Sequence, residues 1–370
     1  MTTTQPSSEG SQETNAASAT STERPGKVRL GVLGAGSFVS RRHLPEAISN
    51  PHVTVTSLCR RDAGALATMA SHFGVQPDET YMDWRVMLDK APLDAVVIAT
   101  PNLYHYEMAV ACLERGLHVL LEKPMTIRSE DAYALVTMAQ ERGLQLSVAL
   151  NPPFWAHCHQ IRRALKDEKM GALESASMYW TGNAESVFGR APMPDQQAGV
   201  VPPTLFRADP DLNGGGYLQD GGSHLVSEML WVTGLRAHRV SALMDATPTD
   251  LRVVLMLEME NGAVATINTI GDSKLPQRRV RNVWGAANGT VTVINLDFET
   301  SIMLHGQEHR KFKEADLLPV PGPVANFVDV IQGRGKLFAS AEHGAHVVEV
   351  VEAAYESAST GRTITLNPAR

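Results

Sequence analysis

In Gly116-Leu-His-Val-Leu-Leu-Glu-Lys-Pro-Met-Thr126, a glycine turn leads into a short apolar segment that ends at a Glu-Lys-Pro corner. An apolar run of this length between Gly and Pro is typical of a buried strand in a parallel sheet. Ligands of open α/β sheets bind beyond the carboxyl ends of such strands. We therefore expect Glu122 and Lys123 to face a ligand crevice. The alternative is a lysine that merely ends a strand.

A glycine-rich loop lies upstream of this corner, between a predicted strand and a predicted helix. Gly34 permits a tight turn, and Gly36 lets the backbone approach a pyrophosphate. This context favours a dinucleotide-binding loop over a purely structural turn, although Val39 stands where a third glycine is usual. Amides at the start of a helix attract phosphate. The cofactor contacts expected here are Gly34, Gly36, Ser37 and Phe38.

The second predicted strand, 53–59, ends where a dinucleotide-binding fold meets the adenosine ribose, about 20 residues beyond the glycines. An acidic residue at this place would bind the 2'-hydroxyl of NAD, but Cys59 is followed by Arg60 and Arg61. Guanidinium groups bind phosphate oxygens in pairs, so the two arginines favour the 2'-phosphate of NADP over NAD. The alternative is that both arginines are solvated and Asp62 binds the ribose.

A third apolar strand, 93–100, ends on the same side of the sheet as Lys123 and adds a further group of candidates. His105 begins the helix that follows, where it either meets the cofactor or lies on the helix surface. Strands and helices alternate up to residue 150, which predicts a parallel sheet with helices on both faces. The further cofactor contacts expected are Thr100, Pro101, Asn102, His105, Glu122 and Lys123.

From residue 151 the pattern changes, so we expect a second domain over 151–370. An aperiodic segment rich in Pro and Gly, 186–206, is interpreted as a lid or wall of the substrate pocket. Six strands follow between residues 239 and 304, and the pairs Asn261-Gly262 and Asn288-Gly289 are signals of two-residue hairpins. The strands therefore predict a largely antiparallel sheet, which can bury one face on helices and offer the other to a second subunit.

Asp220 and His224 are four residues apart where a helix is predicted to begin, after a triple glycine. Residues at this spacing share one helix face, so Asp220 can orient the His224 imidazole and stabilise its charged form. The alternative is that Asp220 caps the helix. With Lys123 as a third member, we favour a catalytic group.

Composition excludes several classes of function. The chain has 370 residues, 43% hydrophobic and 20% charged, with a net charge of -7 and a pI near 6.0. An acidic surface argues against nucleic acid as the main partner. Three cysteines without paired spacing predict a reducing, cytoplasmic setting and no structural zinc or other metal. Residues 1–26 are expected to be a disordered tail, and no apolar run approaches membrane-spanning length.

The motifs together resemble the glucose-fructose oxidoreductase, inositol dehydrogenase and rhizopine-catabolism (Gfo/Idh/MocA) family. The resemblance extends from about residue 27 to the C-terminus and depends on the motifs GVLGAGSF, ATPNLYH, GLHVLLEKPMT and GGGYLQDGGSH, with Ala354, Ser357 and Gly361 near the end. Two features depart from the family pattern. Val39 replaces a glycine, and Asn151-Pro152-Pro153 alters a segment that lines the pocket.

The resemblance implies an α/β fold. An N-terminal Rossmann domain with a doubly wound parallel sheet, 27–150, would precede a C-terminal α+β domain, 151–370, with a large open, mostly antiparallel sheet. It also implies a homodimer or homotetramer that uses a nicotinamide to oxidise or reduce a secondary alcohol or ketone of a sugar, cyclitol or related polyol. Lys123, Asp220 and His224 match the family's catalytic positions.

The chemistry fits these three residues independently of the family. Removing a hydride from a carbinol carbon requires its hydroxyl proton to leave, which needs a base of near-neutral pKa and a cation beside the developing alkoxide. His224 and Lys123 would supply them, and His224 would be the acid in the reducing direction. Rival interpretations are an NAD-dependent glycoside hydrolase of the same fold and a redox-inactive regulator that senses the cofactor.

Overall fold

A computed structural model describes residues 1–2, 26–193, 200–275, 277–294 and 298–367. Residues 3–25 of the expected disordered tail and 194–199 of the expected lid lie outside the described residues. None of the helices in the described ranges is both long enough and apolar enough to span a membrane.

The first domain contains a six-stranded parallel sheet with the strand order β3-β2-β1-β4-β5-β6. This is the doubly wound order of dinucleotide-binding folds, so the predicted Rossmann fold is confirmed. The strands are β1 (Val28–Leu33), β2 (Val53–Cys59), β3 (Thr80–Tyr81), β4 (Ala95–Ile98), β5 (His118–Leu121) and β6 (Leu146–Val148). The helices are α1 (Leu44–Ser49), α2 (Ala63–Phe73), α3 (Trp84–Lys90), α4 (His105–Glu114) and α5 (Ser129–Glu141).

Two local features fit the sequence signals of this domain. Gly116 has a φ of +75°, which only glycine adopts without strain, and it turns the chain from α4 into β5. All four residues of β4 are buried, as expected for a strand covered by helices on both faces. The carboxyl ends of β1, β4 and β5 therefore meet at one edge of the sheet.

The second domain is built on a nine-stranded sheet with the order β14-β13-β12-β11-β7-β10-β9-β8-β15. All neighbouring strands are antiparallel except β7 and β10, which confirms the mostly antiparallel sheet. The strands are β7 (Leu173–Thr181), β8 (Ala237–Met244), β9 (Arg252–Met259), β10 (Val264–Ile270), β11 (Arg279–Ala286), β12 (Gly289–Ile294), β13 (Glu299–Leu304), β14 (Arg310–Phe312) and β15 (Ile364–Thr365).

Helices α6 (Ala156–Leu165), α8 (Ser223–Thr233) and α10 (Ala341–Thr360) cover one face of this sheet. The chain also forms α7 (Pro210–Asn213) and α9 (Pro323–Ile331). Burial alternates along β9, because its inward residues pack on helices while the outward ones are exposed. Helix α10 packs on β8 and α8 and also on α5 of the first domain, so the core continues from one domain into the other.

Two details differ from the sequence-based expectations. Ala286 of β11 pairs with Gly289 of β12, so the second hairpin turn consists of residues 287–288. The Asn288-Gly289 signal in the sequence predicted this turn one residue later. Helix α9 lies late in the chain yet packs on α1 and β5, and its buried Val324 and Phe327 join the same core as β1. The apolar face of α9 thus completes the first domain.

Candidate active site

A cleft of about 680 Å³ opens at the carboxyl ends of the parallel strands of the first sheet. Its lining includes most of the residues expected to contact a cofactor, and a wall from the second domain closes one side. A crevice in this place is where open α/β sheets bind their ligands. The sequence-predicted residues on its lining are Gly34, Gly36, Ser37, Phe38, Arg60, Arg61, Thr100, Pro101, Asn102, Glu122 and Lys123.

The glycine loop brings its backbone to the floor of the cleft. Gly34 has a φ of +85°, and a Cβ there would lie 2.6 Å from the Ala99 carbonyl oxygen, so no other residue fits. The chain is helical from residue 37 onward, with a π-helical segment at Val39–His43. The Ser37 hydroxyl is buried without a hydrogen-bond partner among the described residues. An unpartnered donor beside helix amides suits an anionic group such as a pyrophosphate.

The end of β2 presents two arginines to the cleft. Arg60 Nη1 donates to the Ala35 carbonyl oxygen at 2.9 Å, and its Nε is buried without a partner in the described part of the chain. Arg61 is exposed. Asp62 caps α2, accepting from Ala65 N at 2.9 Å, so one of its carboxylate oxygens is already engaged. The donor set at the strand end is therefore cationic, which suits a phosphate better than a hydroxyl pair.

His105 does not line the cleft, which corrects the expectation that it contacts the cofactor. The ring is fully buried, with Nδ1 2.9 Å from the Pro124 carbonyl oxygen and Nε2 3.0 Å from the Thr100 carbonyl oxygen. Burial lowers the pKa of His105, and the contacts with the two carbonyl oxygens oppose this shift. The ring joins the end of β4 to the Glu-Lys-Pro corner and thereby positions Thr100 and Lys123. The helix-surface alternative is also wrong.

Asn102 combines two roles. It lines the cleft as expected, but its Nδ2 also donates to the backbone oxygen and Oδ1 of Asn213, at 2.8 and 3.0 Å. Both asparagines are buried. Because Asn213 belongs to the second domain, this amide pair ties the cofactor side of the cleft to the glycine-rich loop before Asp220.

Glu122 is held by His43, which sequence reasoning did not select. His43 Nε2 donates to Glu122 Oε1 at 2.7 Å, and Glu122 Oε2 accepts from the Lys123 backbone amide at 3.1 Å. Both side chains are almost completely buried. The pair connects the helix after the glycine loop to the corner that carries Lys123. Nothing in the spacing of the two residues, 79 apart, could have indicated it.

Lys123 projects from the corner into an ionic cluster with the second domain. The Lys123–Pro124 peptide bond is cis, and Lys123 Nζ donates to the backbone oxygen and Oδ1 of Asp220, at 2.8 and 2.6 Å. Arg207 Nε donates to the same Oδ1 at 2.8 Å. Burial opposes ionisation of Asp220, but the charges of Arg207 and Lys123 outweigh it, so the pKa of this carboxyl is lowered. Asp220 is a carboxylate shared by two cations.

His224 lies beside this cluster without joining it. Its Nε2 is 3.5 Å from Asn151 Nδ2, and its Nδ1 is buried without a partner among the described residues. Burial, followed by the charge of Lys123, lowers the pKa of His224 to about 3, and Asp220 opposes this shift only in part. The imidazole is therefore neutral at physiological pH. Because an amide nitrogen can only donate, the Asn151 contact assigns the lone pair to Nε2 and the ring proton to Nδ1. The pKa of His224 is lower than the near-neutral value that the sequence analysis expected.

The expected contact between Asp220 and His224 is thus absent from the described hydrogen bonds, where the Asp220 carboxylate binds Lys123 and Arg207. Asp220 does not cap the helix either. Helix α8 begins at Ser223, its N-cap residue is Gly222, and this cap makes no side-chain hydrogen bond. The local reason is a π-helical segment, Leu218–Gly222, in front of α8. It breaks the regular spacing on which the i, i+4 argument depended.

The wall of the cleft comes from the segment that was interpreted as a lid or wall. Pro202, Pro203, Thr204 and Phe206 of this segment line the same cleft as the glycine loop, and so does Arg207, the residue after it. Arg207 packs its guanidinium over Phe206, 4.6 Å from the ring centroid. The sequence analysis did not select Arg207. This arginine follows directly after an aperiodic segment, where no residue spacing indicates that its partner is Asp220.

Comparison with known protein families follows the division of the chain. A model described as an oxidoreductase family with an NAD-binding Rossmann fold matches residues 28–150, and a model described as the GFO/IDH/MocA C-terminal domain matches residues 158–290.

Individual relatives extend this comparison. A dTDP-3,4-didehydro-2,6-dideoxy-alpha-D-glucose 3-reductase of Streptomyces antibioticus is 31% identical over 59% of this chain and 60% of its own length. D-xylose 1-dehydrogenase (NADP(+)) 2 of Haloferax volcanii is 24% identical over 91% of this chain and 99% of its own. Among solved structures, the WlbA dehydrogenase of Bordetella pertussis, in complex with NADH and UDP-GlcNAcA, is similar with a TM-score of 0.77. It is 21% identical, and the match covers 92% of this chain and 99% of that one.

Proposed function

The chain belongs to the Gfo/Idh/MocA oxidoreductase family, and we propose that it transfers a hydride between NADP and a secondary alcohol or ketone of a sugar, cyclitol or related polyol. The main observation that supports this proposal is the position of Lys123. Its ammonium group lies on the lining of the dinucleotide cleft and is bound to a carboxylate of the second domain. Lys123, Asp220 and His224 are the catalytic residues of the proposal.

The residues on the cleft fit a dinucleotide. Gly34 and Gly36 would hold the pyrophosphate with the Ser37 hydroxyl, and Phe38, Thr100, Pro101 and Asn102 would complete the walls. The nicotinamide, when bound, supplies the carbon that gives or takes the hydride. Side chains of the protein must bind and orient the substrate, stabilise the charge on its oxygen and transfer the hydroxyl proton.

Arg60 and Arg61 support NADP as the form of the cofactor. A 2'-phosphate would meet two guanidinium groups at the end of β2, while Asp62 is engaged as a helix cap. The similar proteins do not decide the matter, because one is named for NADP(+) and another was solved with NADH. The preference therefore depends on the arginines of this chain.

Lys123 would bind the substrate oxygen. An ammonium group has three N–H donors, and Asp220 takes two of them in this structure. The third is free to donate to a hydroxyl or carbonyl oxygen beside the nicotinamide. Because Asp220, which is itself bound by Arg207, fixes the ammonium before substrate arrives, the charge of Lys123 is preorganised for the alkoxide that develops.

His224 would accept the hydroxyl proton during oxidation. Its ring is neutral, and Nε2, which the Asn151 amide contacts at 3.5 Å, carries the lone pair that would take the proton. Negative charge that develops on the substrate oxygen favours the protonated imidazole, so proton transfer and charge development assist each other. In reduction the same imidazole would return the proton to the oxygen.

The sugar-like class of substrate is supported by the names of the similar proteins, which include a reductase of a nucleotide-linked deoxysugar and a xylose dehydrogenase. The segment Asn151-Pro152-Pro153 places an amide against His224, where it would contact the substrate.

The test is a spectrophotometric screen of the full-length protein for NADPH and NADH, with sugars, polyols and their keto forms in both directions. We expect net formation or consumption of NADPH with at least one compound, and a much slower reaction with NAD(H). Lys123→Ala should lose the activity, while Lys311→Ala, on the distant edge strand β14, should keep it. Glycoside cleavage without net change in the nicotinamide, or cofactor binding without any turnover, would contradict the proposal.

A further inference from the structure

A second polar cluster lies inside the second domain, and none of its residues lines the cleft. His157 and Cys158 are neighbours on α6, and Glu228 projects from α8. A ring nitrogen, the thiol sulfur and a carboxylate oxygen of these residues all lie within 4.8 Å of one another. All three side chains are buried, and Cys158 and Glu228 are completely inaccessible to solvent.

Two polar atoms of this cluster have no hydrogen-bond partner among the described residues. They are Nε2 of His157 and Oε2 of Glu228. Buried polar atoms are nearly always paired, because an unpaired one loses its hydration without compensation. Two such atoms beside a buried thiol therefore point to a ligand that binds all three groups.

The outer contacts of the cluster leave these atoms free to bind. His157 Nδ1 donates to Glu314 Oε2 at 3.1 Å, which leaves the lone pair on Nε2. Glu228 Oε1 accepts from Asn282 Nδ2 at 3.0 Å, which leaves Oε2. Phe298 stacks on the imidazole, with ring centroids 4.2 Å apart, and fixes its plane. A histidine held by a carboxylate through its other nitrogen is the usual arrangement of a metal ligand.

We propose that His157, Cys158 and Glu228 bind a Zn²⁺ ion. Zinc takes nitrogen, sulfur and oxygen ligands together, and three protein ligands leave a fourth position that water can fill. A thiolate, a carboxylate and a neutral imidazole balance the charge of a divalent cation, which removes the cost of an isolated charge in the interior. This proposal reverses the expectation of no metal, which depended on paired cysteine spacing. Here the ligands come from two helices about 70 residues apart in the chain.

The site would act as a structural crosslink. It joins α6 to α8, and Glu228 lies one helical turn beyond His224 on α8, so the ion would fix the helix that carries the proposed base. Its role does not depend on the proposed reaction. A zinc site is expected to stabilise the second domain whatever the substrate is.

The experiment measures metal in the full-length protein, purified without a metal-affinity tag and without chelators. Inductively coupled plasma mass spectrometry should find close to one zinc per chain. After a chelator has removed the zinc from the wild-type protein, added Co²⁺ should give a thiolate-to-cobalt charge-transfer absorption. Removal of zinc should lower the thermal midpoint, and Zn²⁺ should restore it.

Variants locate the ion. Cys158→Ala and Glu228→Gln should lose the zinc, and Glu314→Gln, a half-exposed partner of His157, should weaken zinc affinity by roughly tenfold or more without unfolding the domain. Cys112→Ala is the matched control, because Cys112 is an equally buried free cysteine on α4.

Two outcomes would overturn the proposal. One is wild-type protein with little zinc and no cobalt–thiolate absorption, which would indicate a buried water or a direct bond between a protonated Glu228 and His157. The other is zinc that persists in Cys158→Ala and Glu228→Gln, which would place the ion elsewhere.

Discussion

At the scale of single residues, the site depends on a carboxylate that binds two cations. Asp220 holds Lys123 from one domain and Arg207 from the cleft wall, with side chains that are mostly buried. Breaking a buried ion pair by removing one partner is costly, since the remaining charge stays desolvated. Asp220 therefore fixes the position of the Lys123 ammonium before any ligand binds, and His224 lies outside the ionic cluster as a neutral imidazole.

The pH dependence of oxidation should reveal the state of His224. Its lowered pKa of about 3 means that the ring is neutral above that value and becomes protonated only as the pH falls through it. The pH profile of kcat/KM reports groups of the free enzyme, so we expect no inflection from His224 between about pH 5 and 8. An ordinary histidine would lose activity below about 6.5.

The measurement compares the kcat/KM profiles of the wild type, His224→Gln and His343→Gln. His343 is a control, because burial lowers its pKa to about 3 as well but it lies outside the site. An acidic limb near 6.5 in the wild type that disappears only in His224→Gln would show that the imidazole titrates normally and would refute this description of the base.

The preference for NADP over NAD should depend on Arg61. This arginine is exposed on the cleft and has no hydrogen bond to a backbone atom of the described ranges, whereas Arg60 also donates to the Ala35 carbonyl. A hydrogen bond to a charged group contributes about 1.5–3 kcal/mol, so Arg61→Ala should raise the KM for NADP by roughly tenfold or more and leave that for NAD nearly unchanged. Arg142→Ala, an exposed arginine at the end of α5, is the control. Equal loss for both nicotinamides would contradict a role at the 2'-phosphate.

The residues of the cleft could be predicted from sequence, but their partners could not. Gly34 and Lys123 stand next to apolar strands, and this local pattern is enough to place them at the carboxyl edge. The contacts of His105 and Asp220 come from other elements, and Lys123 and Asp220 are 97 positions apart. A single sequence carries no signal for such pairs, so His105 was assigned to the cofactor and Asp220 to the wrong neighbour.

At the scale of elements, the glycine loop between β1 and the following helix lines the cleft that we propose binds the cofactor. Its two glycines act differently. Gly34 needs its left-handed conformation to fold, whereas Gly36 has ordinary space for a Cβ, with Arg60 Nη1 the nearest atom at 3.4 Å. A methyl group at Gly36 would therefore leave the fold intact but occupy the space where a pyrophosphate approaches.

We expect Gly36→Ala to keep the thermal midpoint of the wild type and to lower NADPH affinity by roughly tenfold or more, as measured by fluorescence titration. Gly64→Ala, in the first turn of α2, is the matched control because a Cβ there would make only an ordinary contact, 3.6 Å from Asp62 Oδ1, and the backbone conformation is ordinary. Unchanged affinity in Gly36→Ala would mean that the cofactor does not pass over this loop.

The periodicity of apolar residues predicted most helices and strands, but it did not predict how they pack against each other. The burial alternation of β9 and the Gly262 turn, with a φ of +84°, agree with the hairpin signals. Helix α9 was assigned to the second domain by its place in the chain, although its apolar face packs against the first. Periodicity indicates that a helix has a buried face, but it does not say which sheet covers that face.

At the scale of the whole molecule, the outer face of the nine-stranded sheet is exposed and carries apolar side chains. Register places Leu243 beside Val254, and Met256 two residues farther along the same face of β9. Val264 faces Glu258 on this surface. Leu243, Met256 and Val264 are 74%, 57% and 61% exposed. Apolar side chains grouped on one exposed face are typical of an interaction surface.

We therefore expect the chain to form a homodimer or homotetramer through this face. Size-exclusion chromatography with light scattering should show an oligomer for the wild type, and Met256→Lys with Val264→Lys should shift it toward the monomer. Leu318→Lys is the control, since Leu318 is 83% exposed but lies outside the sheet. A wild-type monomer at micromolar concentration, or an oligomer that tolerates both lysines, would disprove this interface.

The most direct test of the proposed chemistry compares Lys123→Met with the wild type in two measurements on the same preparations. With the best substrate of the nicotinamide screen, kcat should fall at least about a hundredfold, because the variant removes the preorganised charge beside the developing alkoxide. The NADPH dissociation constant should stay within a few-fold of the wild-type value. Turnover near the wild-type rate in Lys123→Met, with cofactor bound, would show that this ammonium does not bind the reacting oxygen and would contradict the account.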